Sequence, residues 1–451
     1  HESFVKKEKT FSLTGSGLTD DRLVSIGSAT SIDSWAGGTI ECAFNSFFFN
    51  MNYDFSGKYF VDASVRTDGS SLFGKNHRYA TFYSVGGMWK MKKEPFLLDA
   101  SWLDDLNMNL SYGTTGNSGL SEWYASLGLV GSGPKYNGNA GWAISQIPNS
   151  DLTWETVATL NYKISGRVFD RFSFGVELYN KQSKNLLMEI PYSATTGHAS
   201  GWGNVASMVN RGLDVELNFD FVHTKNVYWG ASVNLNYNRN KITKLYQGLD
   251  EISFPDYSLK YQVGYSSSLV YTQVRAGVDP EDGSPMWYDL NGNLTKTYSD
   301  DIMQFCGMDT NAKLSGGFST NFSWKGLGFN ADFSFIGKRY VFLNERYYTM
   351  NPQTLLFSSN FETKMLDIWT HPGQVTDIPK YGTPFYHDTS RFSNASFIRL
   401  KNVSLSYSLP KQILEPLKEI SSVKVYVTGR NLLTFTGFEG YDPEVGYSNA
   451  T

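Results

Sequence analysis

Acidic side chains on one short run are the residues best placed for chemistry. Asp214, Glu216 and Asp220 alternate with apolar residues across positions 213–221, so in a strand their carboxylates would share one face. Paired carboxylates can act as general acid and base, and they can equally form a hydrophilic wall. No catalytic constellation accompanies them, and we therefore interpret Asp214, Glu216, Asn218 and Asp220 as a polar surface.

Motifs for metal, phosphate and thiol chemistry are missing from the sequence. There is no H-E-x-x-H, no G-x-x-x-x-G-K-[ST] and no Cys-x-x-Cys, and the six histidines have no metal-pair spacing. Residues 289–293 resemble the start of a calcium loop, but Leu294 stands where an EF-hand loop needs glycine. We predict a hairpin turn at Asn291-Gly292 and a tight turn at residues 279–283. We expect no enzymatic activity, no cofactor and no resident metal, and we leave calcium binding by a loop open.

Aromatic residues in glycine- and serine-rich connections form a second group with possible chemistry. Exposed rings can stack on sugar rings or on peptide side chains, and the alternative is that they pack loop against loop. Both interpretations stay open for each ring. The candidate substrate-binding residues are Trp123, Tyr124, Tyr136, Trp142 and Trp202.

The elements that position these residues are predicted to be strands. Runs of about 6 to 13 residues alternate between apolar and polar side chains, which is the period of a strand with two different faces. In residues 213–221 the apolar set is Leu213, Val215, Leu217, Phe219 and Phe221. About a dozen such runs follow residues 1–38, which we interpret as a polar lead. The clearest are residues 47–55, 59–67, 80–91, 106–112, 158–164, 172–179, 213–221, 231–238, 316–325, 329–335, 397–409 and 423–428.

The connections between these runs alternate in length. Short ones at 56–58, 166–170, 224–226 and 325–327, with somewhat longer ones at 94–101 and 411–421, are interleaved with mostly long ones. Short turns at one end and long loops at the other are typical of an outer-membrane β-barrel, whereas a soluble sandwich or propeller has no reason to keep that asymmetry. The long connections are residues 69–77, 116–150, 187–205, 244–313 and 338–393.

Composition agrees with a membrane barrel and excludes some other classes. The 451 residues are 18% charged and 16% aromatic, and soluble domains are usually about 25% charged. A formal net charge of -4 with no basic patch argues against a nucleic-acid partner. No run of about 18 apolar residues predicts a membrane-spanning helix. Cys42 is interpreted as an apolar filler and Cys306 as a loop residue, with a disulfide between them left open.

Aromatic residues also gather near the short turns. In a membrane barrel they would form an interfacial girdle, and in a soluble protein they would cover a core or a sheet edge. The loop asymmetry favours the girdle, and it favours a water-filled lumen for the polar face, because polar groups that face hydrocarbon cost several kcal/mol each. The girdle candidates are Phe55, Tyr59, Trp102, Phe169, Tyr228, Trp229 and Trp324.

Several stretches resemble SusC/RagA-type TonB-dependent outer-membrane transporters of the Bacteroidetes. The longest is YFVDASVRTDGSSLFGKNHRYATFYSVGGMW, and the matching stretches follow one another in the family's order over most of the chain. Each is modest by itself, and together they are highly specific. They are residues 59–89, LSYGTTGNSG (110–119), IPNSDLTWET (147–156), AGVDPEDGSPMWYDLNG (276–292), DIWTHPG (367–373), SFIRLKNVSLSYSLP (396–410) and GRNLLTFTGFEGYDPE (429–444).

The resemblance implies an all-β transmembrane antiparallel barrel of about 22 strands that holds an N-terminal plug. Residues 1–451 would be the C-terminal part of that barrel, with the plug, the TonB box and the closing strand absent from this chain, so we expect a longer protein. It implies active import of oligosaccharides or oligopeptides across the outer membrane of a Gram-negative, Bacteroidetes-like bacterium. The implied partners are a SusD-like surface lipoprotein, the TonB complex, outer-membrane lipid and a glycan or peptide substrate.

Two rival functions remain open on the sequence. One is a passive porin or a surface adhesin, which would lack a plug domain. The other is a secreted β-rich carbohydrate-binding protein or hydrolase, which would be soluble without detergent. The importer interpretation depends on Leu213, Val215 and Leu217 facing hydrocarbon while Asp214 and Glu216 face water.

Overall fold

A large antiparallel sheet dominates the computed structural model, which describes residues 1–20, 22–23, 25–120, 122–254, 258–353, 360–416 and 419–445. Thirteen strands within these residues are hydrogen-bonded in chain order. They are β1 (Glu2–Ser16), β2 (Ser31–Phe55), β3 (Tyr59–Ser70), β4 (Tyr79–Lys90), β5 (Leu103–Asn117), β6 (Glu155–Val168), β7 (Phe172–Pro191), β8 (Ser200–His223), β9 (Val227–Lys244), β10 (Leu314–Trp324), β11 (Leu327–Gly337), β12 (Phe397–Ser408) and β13 (Lys424–Thr436). The predicted all-β fold is confirmed.

Alternation along each strand separates the two faces of this sheet. Where β10 pairs with β11, Phe318 lies opposite Phe333, and their stacked rings are 4.4 Å apart. On the other face, the hydroxyls of Ser232 in β9 and Ser319 in β10 are 2.6 Å apart. Because these neighbouring strands keep their apolar and polar residues in register, this part of the sheet has one apolar face and one hydrophilic face.

Tight turns close the strands at one end. Residues 56–58, 169–171, 224–226 and 325–326 connect consecutive strands there. Positive φ angles at both central positions match the right-handed twist of the flanking strands, and they occur at Ser56 (57°) with Gly57 (58°) and at Phe169 (55°) with Asp170 (53°). The predicted short turns are confirmed.

Long connections at the opposite end carry the remaining described strands. Residues 71–78, 118–154, 192–199, 245–313 and 338–396 form these connections. Their strands are Leu129–Tyr136, Asn139–Gln146, Glu251–Phe254, Leu259–Gln262, Leu269–Thr272, Val274–Val278, Pro285–Tyr288, Leu294–Thr295, Gln304–Asp309, Tyr340–Phe342 and Phe392–Asn394. The described α-helices are Pro95–Leu98, Arg346–Thr349 and Lys411–Leu414, and the described 3-10 helices are Ile26–Ser28, Met91–Lys93, Ala194–Thr196, Tyr246–Gly248, Asp300–Ile302, Thr363–Asp367 and Thr389–Arg391.

The first residues differ from the prediction of a polar lead. They form β1, which pairs with the first part of β2 from Glu2 opposite Ser46 to Ser16 opposite Ser31. Charged side chains in β1 obscure its alternation, and one of them has a partner across the pair, since Lys7 Nζ lies 3.3 Å from Glu41 Oε2. Cross-strand pairing, which a single run cannot reveal, therefore overrides the polar composition.

The described residues divide into two compact units. The first comprises residues 1–87, 111–160 and 181–207, and the second comprises residues 88–110, 161–180 and 208–451. In the first unit a hydrophobic cluster surrounds Trp154, whose ring lies 4.6 Å from Phe73 and 5.9 Å from Phe82. Cys42 is buried in this cluster and carries no disulfide.

Both predicted turns lie in the second unit and are confirmed. Gly292 has a φ of 82° and its N–H donates to the Asp289 carbonyl, which closes the hairpin between Pro285–Tyr288 and Leu294–Thr295. Gly283 has a φ of 71° and donates to the Asp279 carbonyl. Among the helices that the structure describes, none has the length and apolar character to cross a bilayer.

Candidate functional site

The four predicted wall residues share the hydrophilic face of β8. Asn236 on β9 donates through Nδ2 to Asp214 Oδ1 over 2.5 Å. Tyr228, also on β9, donates its hydroxyl proton to Asp220 Oδ1 over 2.7 Å. Glu216 and Asn218 are exposed. The strand alternation therefore groups these side chains as expected. Hydrogen bonds from β9 hold Asp214 and Asp220 in position.

Two recesses lie over this hydrophilic face. Asp214 and Glu216 line one of about 280 Å³ together with Lys163, Glu177 and Asn236. The neighbours come from β6, β7 and β9, so the sequence order of β8 alone could not identify them. The recess is rich in carboxylate, ammonium and amide groups, which suits a surface in contact with water.

The second recess lies toward the tight turns and has a volume of about 570 Å³. Glu216 and Asn218 line it with Asp104, Asp105 and Asp170. It is a hydrophilic wall with acidic character, able to contact a hydrated polar ligand.

The opposite face of the same strands is aromatic. Phe219 and Phe221 stack with 5.7 Å between ring centroids, and Phe221 lies 4.7 Å from Trp229 on β9. Phe172 on β7 lies 4.7 Å from Phe219. Phe221 and Trp229 remain exposed in spite of these contacts. An apolar face that wide and that open to its surroundings matches the lipid-facing side of a membrane sheet.

Most of the predicted girdle lies exposed beside the tight turns. Trp102 and Phe169 contact each other at 6.3 Å, as do Phe55 and Tyr59 at 6.4 Å, and Trp324 is exposed as well. Tyr228 differs from this group because it precedes Trp229 in β9 and therefore projects from the other face. Its hydroxyl bonds Asp220, so it belongs to the hydrophilic wall.

Two of the candidate ligand-binding rings pack within the first unit. Trp123 and Trp202 both lie against the hydrophobic cluster around Trp154, and the ammonium of Lys6 lies 4.8 Å from the Trp123 ring centroid. The Tyr124 hydroxyl accepts a hydrogen bond of 3.0 Å from the backbone N–H of Glu41. Trp202 lies in β8 and not in a connection as predicted, because β8 begins at Ser200. The contacts of Trp123 and Tyr124 anchor the loop, and ligand binding by all three residues stays a prediction.

Trp142 lies in different surroundings. It is 74% exposed on the strand Asn139–Gln146, which pairs with Leu129–Tyr136. Val130 and Ile144 lie opposite each other in this hairpin and are each 64% exposed, and Trp142 shares the face of Ile144. This apolar hairpin face is open to a ligand or a partner. Tyr136 lies at the end of the first strand, and its side chain is outside the described part of the structure.

Sequence reasoning missed a cavity in the long connections of the second unit. Its volume is about 730 Å³, and Arg275, Arg346 and Arg391 are among the residues that line it. Burial lowers the pKa of Arg391 to about 10. These arginines are far apart in the chain and none lies in a recognisable motif, so no sequence signal could have grouped them. Within the described residues, no group of three or more His, Cys, Asp and Glu side chains could hold a metal ion.

Comparison with known families finds one matching model. Residues 10–432 match the family described as TonB dependent receptor-like, beta-barrel. The match covers nearly the whole of the large sheet and all the long connections between its strands.

The curated relatives are also named as TonB-dependent receptors. The chain is 29% identical over 435 residues to TonB-dependent receptor P3 of Formosa agariphila, and the alignment covers 90% of this chain and 42% of that protein. It is 27% identical over 423 residues to TonB-dependent receptor SusC of Bacteroides thetaiotaomicron, with 89% of this chain and 41% of that protein covered. The chain thus spans less than half the length of these relatives.

Solved structures give a close match in three dimensions. The RagAB peptide importer in its 'closed-closed' state superposes with a TM-score of 0.88 and 35% sequence identity, covering 98% of this chain and 50% of that chain. Its 'open-open' state superposes with a TM-score of 0.89 at the same identity. The thirteen-stranded sheet therefore corresponds to part of a larger outer-membrane barrel.

Proposed function

Because the chain belongs to the TonB dependent receptor-like β-barrel family, we propose that it is the C-terminal part of the barrel of an active importer. The importer takes oligosaccharides or oligopeptides across the outer membrane and draws energy through TonB. The family is one of receptors and transporters, and the chain is part of an outer-membrane barrel. The cargo, the energy coupling and the partners are the proposed steps.

One observation carries this proposal, namely the separation of the two faces of β8. Asp214, Glu216 and Asn218 contact hydrophilic recesses, while Phe219 and Phe221 join a continuous aromatic face. A wall that is polar on one side and aromatic on the other fits between lipid and a water-filled path. We assign these polar side chains, with Asp220, to the wall of that path.

The long connections supply the contacts to cargo and to a SusD-like lipoprotein in this proposal. The exposed hairpin face formed by Val130, Trp142 and Ile144 supports a contact of this kind, because an apolar patch on a loop costs solubility unless something covers it. Trp123 and Tyr124 would hold the loop in place through the cluster around Trp154, which Trp202 of β8 also contacts, and through Glu41. The similarity to a structure named as a peptide importer supports peptides as one class of cargo.

Uptake by whole cells tests the proposal. Cells that express the full-length protein are given fluorescent oligopeptides and oligosaccharides, with and without deletion of the energy-coupling protein TonB. We expect accumulation of one class of cargo, and we expect the deletion to abolish it. Equal accumulation in the two strains would indicate passive diffusion instead of active import. A protein that stays soluble without detergent would exclude both active import and passive diffusion.

A further inference from the structure

Arg391 is the most completely buried cation in the described part of the chain. It is 1% exposed, and its guanidinium carbon lies 4.3 Å from the ring centroid of Phe342 and 4.8 Å from that of Phe385. Its Nη1 contacts the ring nitrogens of His387 at 3.0 and 3.1 Å, and Nη2 reaches Asn344 Oδ1 only at 3.5 Å. No described carboxylate lies within ion-pair distance of it. A buried charge without a direct partner is costly, because desolvation is not offset.

Two other arginines that line the cavity beside Arg391 also have unpaired donor groups. Arg275 donates to Asp388 and Arg346 bonds Glu439, yet the Nε–H groups of both arginines and of Arg391 are buried without a hydrogen-bond acceptor. All three residues line the cavity of about 730 Å³. This size suits a small ligand or two to three residues of a longer one. These Nε–H groups lie beneath the cavity surface, and both carboxylate oxygens of Glu345 are also buried without a hydrogen-bond partner. Three incompletely paired arginines beside one cavity favour a ligand that brings an acceptor with negative charge.

Acidic groups around the cavity restrict the kind of anion. Asp367 and Asp377 line it as well, and both are exposed, so they lie on its solvent side. A ligand with negative charges along its length, such as an acidic oligosaccharide, would be repelled there. A ligand with a single carboxylate and polar or positive groups elsewhere would not, and an oligopeptide has that distribution of charge.

We propose that this cavity binds the C-terminal carboxylate of an oligopeptide, with Arg391 as its principal partner. The inference rests on the proposed import function and makes it more specific. The planar guanidinium fork matches a carboxylate in two parallel hydrogen bonds. Glu345 and Asp388 lie near enough to favour the charged form of Arg391 without pairing with it directly. Entry of a ligand carboxylate therefore supplies the missing direct partner.

Binding to peptides with and without a terminal charge tests the inference. The purified full-length protein is titrated with a fluorescent pentapeptide library made once as free acids and once as C-terminal amides. We expect the acids to bind at least about tenfold more tightly than the amides, as for other hydrogen-bonded charge pairs. In Arg391→Gln the affinity for the acids should fall to that for the amides, while the affinity for the amides stays unchanged.

Controls separate this result from a loss of folding. Arg391 packs between two rings, so its replacement can disturb the loop, but the ratio of acid to amide affinity reports only on protein that binds. Arg391→Lys should keep part of the preference for acids over amides. Glu345→Gln should increase that preference by removing a nearby negative charge. Arg339→Gln, which alters an arginine outside the cavity lining, should leave it unchanged.

Three outcomes would overturn the inference. They are equal affinities of acids and amides in the unaltered protein, a ratio that survives Arg391→Gln, and no measurable binding of peptides at all. If peptides fail but a glucuronic-acid oligosaccharide binds and depends on Arg391, the cavity serves an acidic sugar instead. TonB-dependent uptake of oligosaccharides in whole cells would then show that import survives although the peptide site does not.

Discussion

Trp287 donates its indole proton to Asp388 Oδ2 over 2.8 Å, and the two side chains are 0% and 1% exposed. They belong to different long connections, 245–313 and 338–396. Arg275 Nη1 donates to the same oxygen over 2.9 Å, and the hydroxyl of Ser390 donates to Oδ1 over 2.6 Å. One buried carboxylate thus fastens two loops of the second unit to each other.

Replacing Asp388 by alanine should loosen both loops and leave the membrane sheet intact. The change leaves the Arg275 cation and the Trp287 N–H buried without their acceptor, and breaking a buried pair in this way costs about 3–5 kcal/mol. We expect faster hydrogen exchange in residues 274–298 and 386–392 and a normal heat-dependent shift on gels. Asp301→Ala, at an exposed position in the same connection, is the matched control. Unchanged exchange in Asp388→Ala would mean that other contacts hold the loops together.

Adjacent residues of β8 should respond in opposite ways to the same substitution. Leu217 belongs to the apolar face and Asn218 lines a hydrophilic recess. Leu217→Arg places a charge toward hydrocarbon, and at mid-bilayer depth this costs about 2–4 kcal/mol. Asn218→Arg keeps its charge in water and should cost little. Urea unfolding of the full-length protein in lipid vesicles measures both changes, and a larger cost for Asn218→Arg would reverse the assignment of the faces.

The alternating pattern predicted the strands well because side-chain direction in a strand depends only on position along the chain. Leu213 to Phe221 has an uninterrupted alternation, and β8 extends through it. The same reasoning failed for β1, where lysine and glutamate side chains hide the pattern. Their contacts depend on the partner strand, so the evidence for β1 lies in residues 31–46 and not in β1 itself.

The candidate site was predictable only where one strand defines it. The wall of Asp214, Glu216, Asn218 and Asp220 follows from the sequence of β8, but the partners Asn236 and Tyr228 follow from pairing with β9. The sequence could not show which of the loop aromatic residues pack against other residues and which are exposed. Trp123 packs on a cluster and Trp142 is exposed because of how distant loop segments fold, which neither local sequence reveals.

Acid should release the segment that follows β13. The Glu439 carboxylate accepts hydrogen bonds from Lys364, at 2.5 Å, and from Arg346, and these cations hold its pKa below the ordinary value of 4.5. A lowered carboxylate pKa contributes stability that is complete above the ordinary pKa and is lost as pH falls through the lowered one. The protection factors of residues 437–445, which correct the exchange rates for their intrinsic pH dependence, should therefore be constant near neutrality and fall below pH 4.5. Glu439→Gln should have lower protection factors at neutral pH and lose this pH dependence.

Trp142 and Trp123 offer a matched pair for separating contact with a partner from support of the loop. Trp142 is 74% exposed, so Trp142→Ala should leave thermal unfolding unchanged and weaken binding of cargo or lipoprotein. Trp123 packs against the cluster around Trp154, and Trp123→Ala should destabilise the loop by about 1–2 kcal/mol, in proportion to the apolar area it buries. Exchange of residues 111–160 and binding to the co-expressed lipoprotein measure the two effects. If Trp142→Ala binds normally, the exposed hairpin face has no role in docking, and the contacts must come from the other long connections.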